Sequence, residues 1–179
     1  MKIWNKDLYR YEGEASCKLR VKLKYLFFVP GFTYTYFFRM SQYRIVGVLF
    51  RVLLKITSYI THIQIPPHTQ IGEGLYIGHF GTIIINPAAK IGRNFSIAAG
   101  TLIGNAQGRR KGIPTIGDNV YMGCNSIVIG GIKIGNNVLI APGAFVNFDV
   151  PDNCILIGNP GKIIQKDSSP TEKYMVYPV

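Results

Sequence analysis

The most regular feature of the chain is an aliphatic residue that returns, with two interruptions, every six positions between residues 65 and 163. Thirteen hexads begin in this way, ten of them with isoleucine, and the next residue is usually Gly or Ala. This period fits neither an amphipathic helix nor an alternating strand. It predicts short strands joined by tight corners and coiled into a solenoid, with the aliphatic column inside. The leading residues are Ile65, Ile71, Ile77, Ile85, Ile91, Ile97, Ile103, Ile116, Met122, Val128, Ile134, Ile140 and Val146.

Two interruptions of the period indicate where chemistry is expected. The step lengthens from six to eight residues around His79, so the chain bulges there. From Ile103 to Ile116 the step is thirteen residues, and the extra residues form a loop over 105–114. Insertions in solenoids cluster on a binding face. The loop is basic and contains Arg109, Arg110 and Lys111.

Residues 1–62 precede the repeat and mix basic, aromatic and aliphatic side chains. Pro30 and Gly31 break an aromatic run, and three- and four-residue spacings predict a helix over 39–60. Charges at Arg51 and Lys55 interrupt every window long enough to cross a bilayer. The segment is therefore expected to pack on the solenoid or on another subunit, or to lie on an anionic membrane surface.

The expected division is a helical segment over 1–62, a mainly β solenoid over 63–164 and a C-terminal tail over 165–179 without predicted structure. The net charge of +11 indicates anionic partners, but no motif points to nucleic acid. Three cysteines that are far apart, together with an N-terminus that lacks a secretory signal, favour a reducing, cytoplasmic location and no disulfides. They are Cys17, Cys124 and Cys154.

The repeat resembles that of the hexapeptide-repeat acyltransferases, whose hexads pair an aliphatic residue with a following small or acidic one. The resemblance implies a left-handed parallel β-helix with three hexads per turn, a hand opposite to that of most crossovers. It also implies acetyl-CoA as co-substrate and no metal. A homotrimer is expected as well, with each active site between two coils.

The stretch around His79 resembles the active site of serine acetyltransferases and of their polysaccharide-modifying relatives. In those enzymes the matching histidine removes a proton from the acceptor hydroxyl, which then attacks the thioester. Histidine suits this role because it titrates near neutral pH. Gln64 stands where those enzymes carry a carboxylate that orients the histidine. Its carbonyl can accept the Nδ1–H but cannot stabilise an imidazolium electrostatically.

The cofactor site is carried over from the same resemblance. Gly104 and Asn105 match the loop that lines the pantetheine arm, and Cys124 matches a small residue whose amide contacts CoA. Pro142 lies one coil further on and is expected to act as a packing wall, since it lacks an N–H. Lys162 matches a basic residue near the CoA phosphates.

The acceptor is predicted from the positions at which this chain differs from serine acetyltransferases. Gly78, Ile113 and Gln64 replace three residues that serine acetyltransferases use, which favours another acceptor. The chain is therefore predicted to resemble capsule, exopolysaccharide and colanic acid O-acetyltransferases most, and to acetylate a sugar hydroxyl of a surface polysaccharide or of its lipid-linked precursor. Alternatives are serine O-acetyltransferase, a zinc enzyme like the hexapeptide-repeat carbonic anhydrases, and a non-catalytic scaffold. The zinc alternative is weak, because His62 and His68 offer no suitable ligand spacing.

Overall fold

Four helices stand on one end of a three-sided parallel β-helix in the computed structural model, which describes residues 2–179. The helices are α1 (Ile3–Glu12), α2 (Leu19–Phe28), α3 (Pro30–Ser41) and α4 (Gly47–Thr61). Short 3-10 helices cover Gly13–Cys17 and Glu172–Tyr174. In the described residues, none of the four helices has the length and apolarity that crossing a membrane requires.

The strands form three sheets, which we call A, B and C. Sheet A contains β1 (Ile63–Gln64), β4 (Ile83–Ile85), β7 (Leu102–Gly104), β10 (Ile127–Ile129) and β13 (Phe145–Val146). Sheet B contains β2 (Gln70–Ile71), β5 (Lys90–Ile91), β8 (Thr115–Ile116) and β11 (Lys133–Ile134). Sheet C contains β3 (Tyr76–Ile77), β6 (Ser96–Ile97), β9 (Tyr121–Met122), β12 (Leu139–Ile140), β14 (Cys154–Ile157) and β15 (Lys162–Gln165).

The aliphatic column predicted from the hexads lies inside the prism. All thirteen leading residues are at most 7% exposed. Each stacks on its counterpart in the next coil, as Ile77 does on Ile97 and Ile97 on Met122. Pairing is parallel throughout except between β14 and β15, which form the closing hairpin. The predicted solenoid is thus confirmed: successive hexads lie on successive walls of the prism, and every third strand returns to the same sheet.

The helical region differs from the sequence prediction in two places. The helix expected over 39–60 is interrupted, since α3 ends at Ser41 and α4 begins at Gly47. The two helices meet so closely that a Cβ on Gly47 would lie 2.7 Å from the Ser41 carbonyl oxygen. The second difference is at the start of the helical segment, where no individual helix was delimited and the structure forms α1. Pro30 starts α3 at the first helical position, where its missing N–H costs nothing.

A buried ion pair fixes the helices to the first coil. Arg39 of α3 binds both carboxylate oxygens of Asp7 in α1, at 2.8 and 3.1 Å, and both side chains are at most 1% exposed. Arg39 also donates to the carbonyls of Ile71 and Gly72, while Asp7 accepts the amides of Gly74 and Leu75. Burial raises the pKa of Asp7, and Arg39 and the two amides act in the opposite direction. The pair therefore joins α1, α3 and the solenoid at one point.

The C-terminal tail is packed against the solenoid, although its composition predicted no structure. Thr171 is fully buried and donates to the carbonyl of Asn119. The Met175 sulfur contacts the buried guanidinium of Arg10 at 3.0 Å. The backbone of Val179 exchanges two hydrogen bonds with the Asn94 side chain, at 2.8 and 2.9 Å. The tail thus covers part of sheet C together with α1, which the tail sequence by itself could not indicate.

An asparagine ladder runs along the corner between sheets B and C. Each side-chain amide donates to the next asparagine, from Asn94 to Asn119, Asn137 and Asn153, at 2.9–3.0 Å. All four residues have φ between 54° and 57°. Asparagine is among the few residues with a Cβ that adopt this left-handed conformation readily. The ladder therefore fixes the turn and links successive coils with the same side chains.

We expect Asn119→Ala to destabilise the protein more than Asn119→Gly. Both variants lose the ladder bonds, worth about 0.5–1.5 kcal/mol each. Only alanine adds the cost of a left-handed conformation, about 1 kcal/mol relative to glycine. Urea unfolding would measure the difference between the two variants, and equal free energies of unfolding would contradict a role for backbone conformation at this corner.

Candidate active site

His79 lies at the corner that leads from sheet C to sheet A, between β3 and β4. We call this corner, followed along the prism, the His79 edge; it comprises residues 78–82, 98–101, 123–126, 141–144 and 158–161. Successive turns of the edge touch: the Asn125 amide donates to the Ala99 carbonyl at 3.0 Å, and the Gly143 amide donates to the Cys124 carbonyl at 2.9 Å. The two-residue bulge expected here is present and makes His79 exposed.

The backbone that leads into His79 is held by Tyr11 of α1. The Tyr11 hydroxyl accepts the Ile77 amide at 3.0 Å and donates to the Ile77 carbonyl at 3.1 Å. Burial raises the pKa of Tyr11, so its hydroxyl keeps the proton that the second bond requires. Sequence reasoning missed Tyr11, because it lies in a segment with no repeat and no motif.

Aromatic rings form the floor behind this corner. The rings of Tyr11 and Tyr76 lie 4.4 Å apart, and Phe32 and Tyr25 extend the cluster at 5.3–6.0 Å. A Cβ on Gly78 would lie 3.1 Å from the Tyr76 ring, so a larger residue there would have to displace the ring. These rings form an aromatic wall behind the corner, and Tyr76 borders the backbone at Gly78, one of the three positions at which the chain differs from serine acetyltransferases.

Gln64 does not bind His79 in this chain. It ends β1, pairs in register with Ile84 of the adjacent strand, and is exposed. Within residues 2–179 the His79 ring has no hydrogen-bond partner. Gln64 instead lines a cavity of about 580 Å³ together with Tyr34 and His62. Its proposed role in orienting the imidazole stays a prediction.

Three of the predicted cofactor residues follow His79 along the His79 edge. Cys124 lies two coils beyond it, about 10 Å along the axis at the usual strand spacing. Pro142 is one coil further and packs directly on Gly123, whose Cβ would lie 2.7–3.0 Å from the proline ring. Lys162 is exposed just after the last turn of the edge, where the Gly161 amide donates to the Phe145 carbonyl. An extended thioester cofactor laid along the edge would therefore pass all three.

Gly104 and Asn105 lie at the opposite margin of sheet A, where β7 ends and the basic loop begins. The loop is closed by two hydrogen bonds between Ala106 and Gly112, at 3.0 and 3.2 Å. The Arg110 guanidinium forms an ion pair with the Asp149 carboxylate at 2.9 Å. The backbone carbonyl of Arg110 accepts a hydrogen bond from the Gly131 amide. The other two basic residues of the loop, Arg109 and Lys111, are exposed. The loop is thus a defined hairpin, and within one chain it faces away from the His79 edge.

Three cavities lie elsewhere in the chain. Cavities of about 850, 580 and 380 Å³ are lined by the helices and the first coils, and none of the three includes His79. His68 lines two of them. In residues 2–179 there is no group of three His, Cys, Asp or Glu side chains that could hold a metal ion.

Comparison with known proteins agrees with this architecture. Residues 113–147 match the family described as bacterial transferase hexapeptide (six repeats). The serine acetyltransferase of Synechococcus elongatus is 32% identical over 162 residues, which are 88% of this chain and 66% of that protein. The serine acetyltransferase of Staphylococcus xylosus is 38% identical over 67% of this chain and 56% of its own length. The chain therefore spans between about half and two thirds of these relatives.

Solved structures give the same result. The serine acetyltransferase of Neisseria gonorrhoeae in complex with serine superposes with a TM-score of 0.73, at 29% identity over 90% of this chain and 67% of that one. The enzyme of Brucella abortus in complex with coenzyme A has a TM-score of 0.78 over 93% of this chain and 68% of its own, at 23% identity. The second likeness, at this identity, bears on the fold alone.

These relatives overturn the predicted acceptor. The sequence prediction of a surface polysaccharide is wrong, since relatives at 32–38% identity are serine acetyltransferases. The expected closeness to capsule, exopolysaccharide and colanic acid enzymes likewise has no support. The similarity extends over the whole coil, whereas the three acceptor-side differences concern a few side chains, which can change without a change of reaction. The chain belongs to the hexapeptide-repeat acyltransferases of the serine acetyltransferase type, with the left-handed β-helix of that group.

Proposed function

We propose that the chain is an O-acetyltransferase that moves the acetyl group of acetyl-CoA to the hydroxyl of serine. The observation that carries this is the alignment of His79 with Cys124, Pro142 and Lys162 on one edge of the prism. The similarity to serine acetyltransferases supplies the acceptor.

In the proposed reaction the serine hydroxyl gives its proton to the His79 imidazole while its oxygen attacks the thioester carbon. The tetrahedral intermediate collapses with cleavage of the carbon–sulfur bond, and the imidazolium returns the proton to the CoA thiolate. A base of this kind contributes about 10²–10⁴-fold. The tether at Tyr11 holds the histidine corner against the coil, so that the ring can face an acceptor bound over the aromatic wall.

The test is release of free CoA thiol from acetyl-CoA with L-serine, with the acetylated product identified by mass spectrometry. D-serine and ethanolamine are matched acceptors that change one feature each, the configuration or the carboxylate. Thiol release that does not rise above hydrolysis with L-serine would refute the proposal.

We further propose that the complete site forms between copies of a homotrimer. Apart from the exposed Gln64 of β1, the outward side chains of the strands in sheet A are half-buried, and all but Gly104 are apolar, whereas those of sheet B are polar. Sheet A is bordered by the His79 edge on one side and by the basic loop on the other. A neighbour packed on sheet A would therefore bring its loop to the histidine of the first copy. The outward residues of sheet A are Ile84, Leu102, Ile127, Ile129 and Phe145.

Ile127→Lys is expected to give a monomer with about 100-fold lower activity, because a buried ammonium in the interface is costly and the site loses its second wall. Thr115→Lys is the matched control, since Thr115 faces outward from sheet B. Light scattering with parallel assays would measure both effects. A wild-type chain that is monomeric and active would contradict the shared site.

A further inference from the structure

Helices α2 and α4 expose apolar side chains that nothing in residues 2–179 covers. No residue of α2 is buried, and Phe28 at its end is 80% exposed. Along α4 the exposed residues recur at three- and four-residue steps, so they form one stripe; Ile45, just before the helix, is 92% exposed. We call these residues the helical apolar face: Leu19, Leu23, Phe27, Phe28, Ile45, Val46, Val48, Leu49, Val52, Ile56, Tyr59 and Ile60.

Most charges around the helical apolar face are positive. Between residues 15 and 72 the sequence contains eight Lys and Arg residues and no Asp or Glu. Only Arg39 of these eight is buried, where it pairs with Asp7. The Glu12 carboxylate lies 3.6 Å from Lys24, and Glu14 accepts a hydrogen bond from the Tyr9 hydroxyl. The accessible cations are Lys18, Arg20, Lys22, Lys24, Arg44, Arg51 and Lys55.

A cationic cavity opens beside the same face. It measures about 580 Å³ and lies between α4 and the first coil. Arg51, Lys55 and His62 line it together with the apolar body of Leu54 and the ring of Tyr59, and no acidic residue contributes. The Lys55 ammonium lies 4.9 Å from the centre of the Tyr59 ring, a cation–π contact beside the cavity. This arrangement suits an anionic headgroup with apolar chains next to it.

We propose that the helical apolar face docks on an anionic lipid bilayer. The aliphatic and aromatic side chains would enter the boundary between headgroups and acyl chains, and the lysines and arginines would contact lipid phosphates. A second copy of this chain fits the face less well, because self-association would bring unneutralised cations together. The face is also distinct from sheet A, which is bordered by the His79 edge and by the basic loop.

Vesicle flotation tests this docking with the full chain. Wild-type protein should float with vesicles that contain phosphatidylglycerol, remain behind with phosphatidylcholine alone, and be released as salt rises from about 0.1 to 1 M. Each cation at the surface contributes about fivefold to binding, so Lys18→Gln, Arg20→Gln and Lys24→Gln together should weaken it by about 100-fold. The matched control removes three exposed lysines from the solenoid and the C-terminal tail, Lys90→Gln, Lys133→Gln and Lys166→Gln, and should bind nearly as wild type.

The apolar contribution is tested by Leu49→Gln, Val52→Gln and Ile56→Gln, three exposed positions on α4 whose replacement leaves the core intact. This variant should lose at least about tenfold in vesicle binding while its mass by light scattering stays that of the wild type. The proposal is overturned if wild-type binding is the same with and without phosphatidylglycerol. It is also overturned if the apolar variant has an altered oligomeric state but unchanged vesicle binding. A third contradicting result is that single-stranded RNA displaces the wild-type protein and the apolar variant from vesicles equally well.

Discussion

Replacing His79 with asparagine should lower the rate of acetyl transfer by about 10²–10⁴-fold, the usual contribution of a general base. A serine hydroxyl is a poor nucleophile at neutral pH, so its attack on a thioester requires removal of the proton. Asparagine has a similar size but cannot take that proton. The exposed corner tolerates the change, because the His79 ring has no hydrogen bond within residues 2–179 that the fold would lose.

The comparison that decides the role of His79 combines turnover with CoA binding by calorimetry. CoA affinity should survive in His79→Asn, since the predicted CoA contacts lie at Asn105, Cys124 and Lys162. His68→Asn is the matched control, because His68 is also exposed but lies away from the His79 edge. Near-normal turnover in His79→Asn would place the base elsewhere. Loss of CoA binding in the same variant would show that the site has been misplaced.

Arg39→Met should destabilise the protein by about 3–5 kcal/mol, the cost of leaving one member of a buried ion pair without its partner. The variant strands the carboxylate of Asp7 and removes the donors to the carbonyls of Ile71 and Gly72. Since these contacts join the helices to the first coil, we expect α1 and α3 to loosen before the rest of the prism. Urea unfolding followed by circular dichroism would measure the loss.

A matched exposed pair provides the control for Arg39. Arg93 contacts Asp118 at 3.2 Å, with side chains 59% and 36% exposed. Arg93→Met should cost less than about 1 kcal/mol, because solvent and salt screen exposed pairs. If the two substitutions cost the same, the Asp7–Arg39 pair does not anchor the helices. Adding Asp7→Asn to Arg39→Met should recover part of the loss, since the stranded charge is then removed.

The sequence alone determined the solenoid. The six-residue return of an aliphatic residue predicts short strands joined by corners around an aliphatic interior, and all thirteen leading positions are buried. The three hexads per turn followed from the family resemblance. The period also located the bulge at His79 and the loop over 105–114, since both appear as breaks in a strict period. These features are visible in consecutive residues and do not depend on which other segments pack against each coil.

Tertiary structure alone decided how the helices, the tail and the site are arranged. The Asp7–Arg39 pair, the Tyr11 tether and the contact of Met175 with Arg10 join residues that lie 32 to 165 positions apart, and no short-range pattern encodes such pairs. The separation of the predicted cofactor residues onto two margins of sheet A is also a property of the coil. His79 and Asn105 are both at interruptions of the same period, yet they lie at different corners of the prism. His79 lies before a strand of sheet A, β4, and Asn105 follows another strand of the same sheet, β7. Each strand carries the chain from one corner to the next.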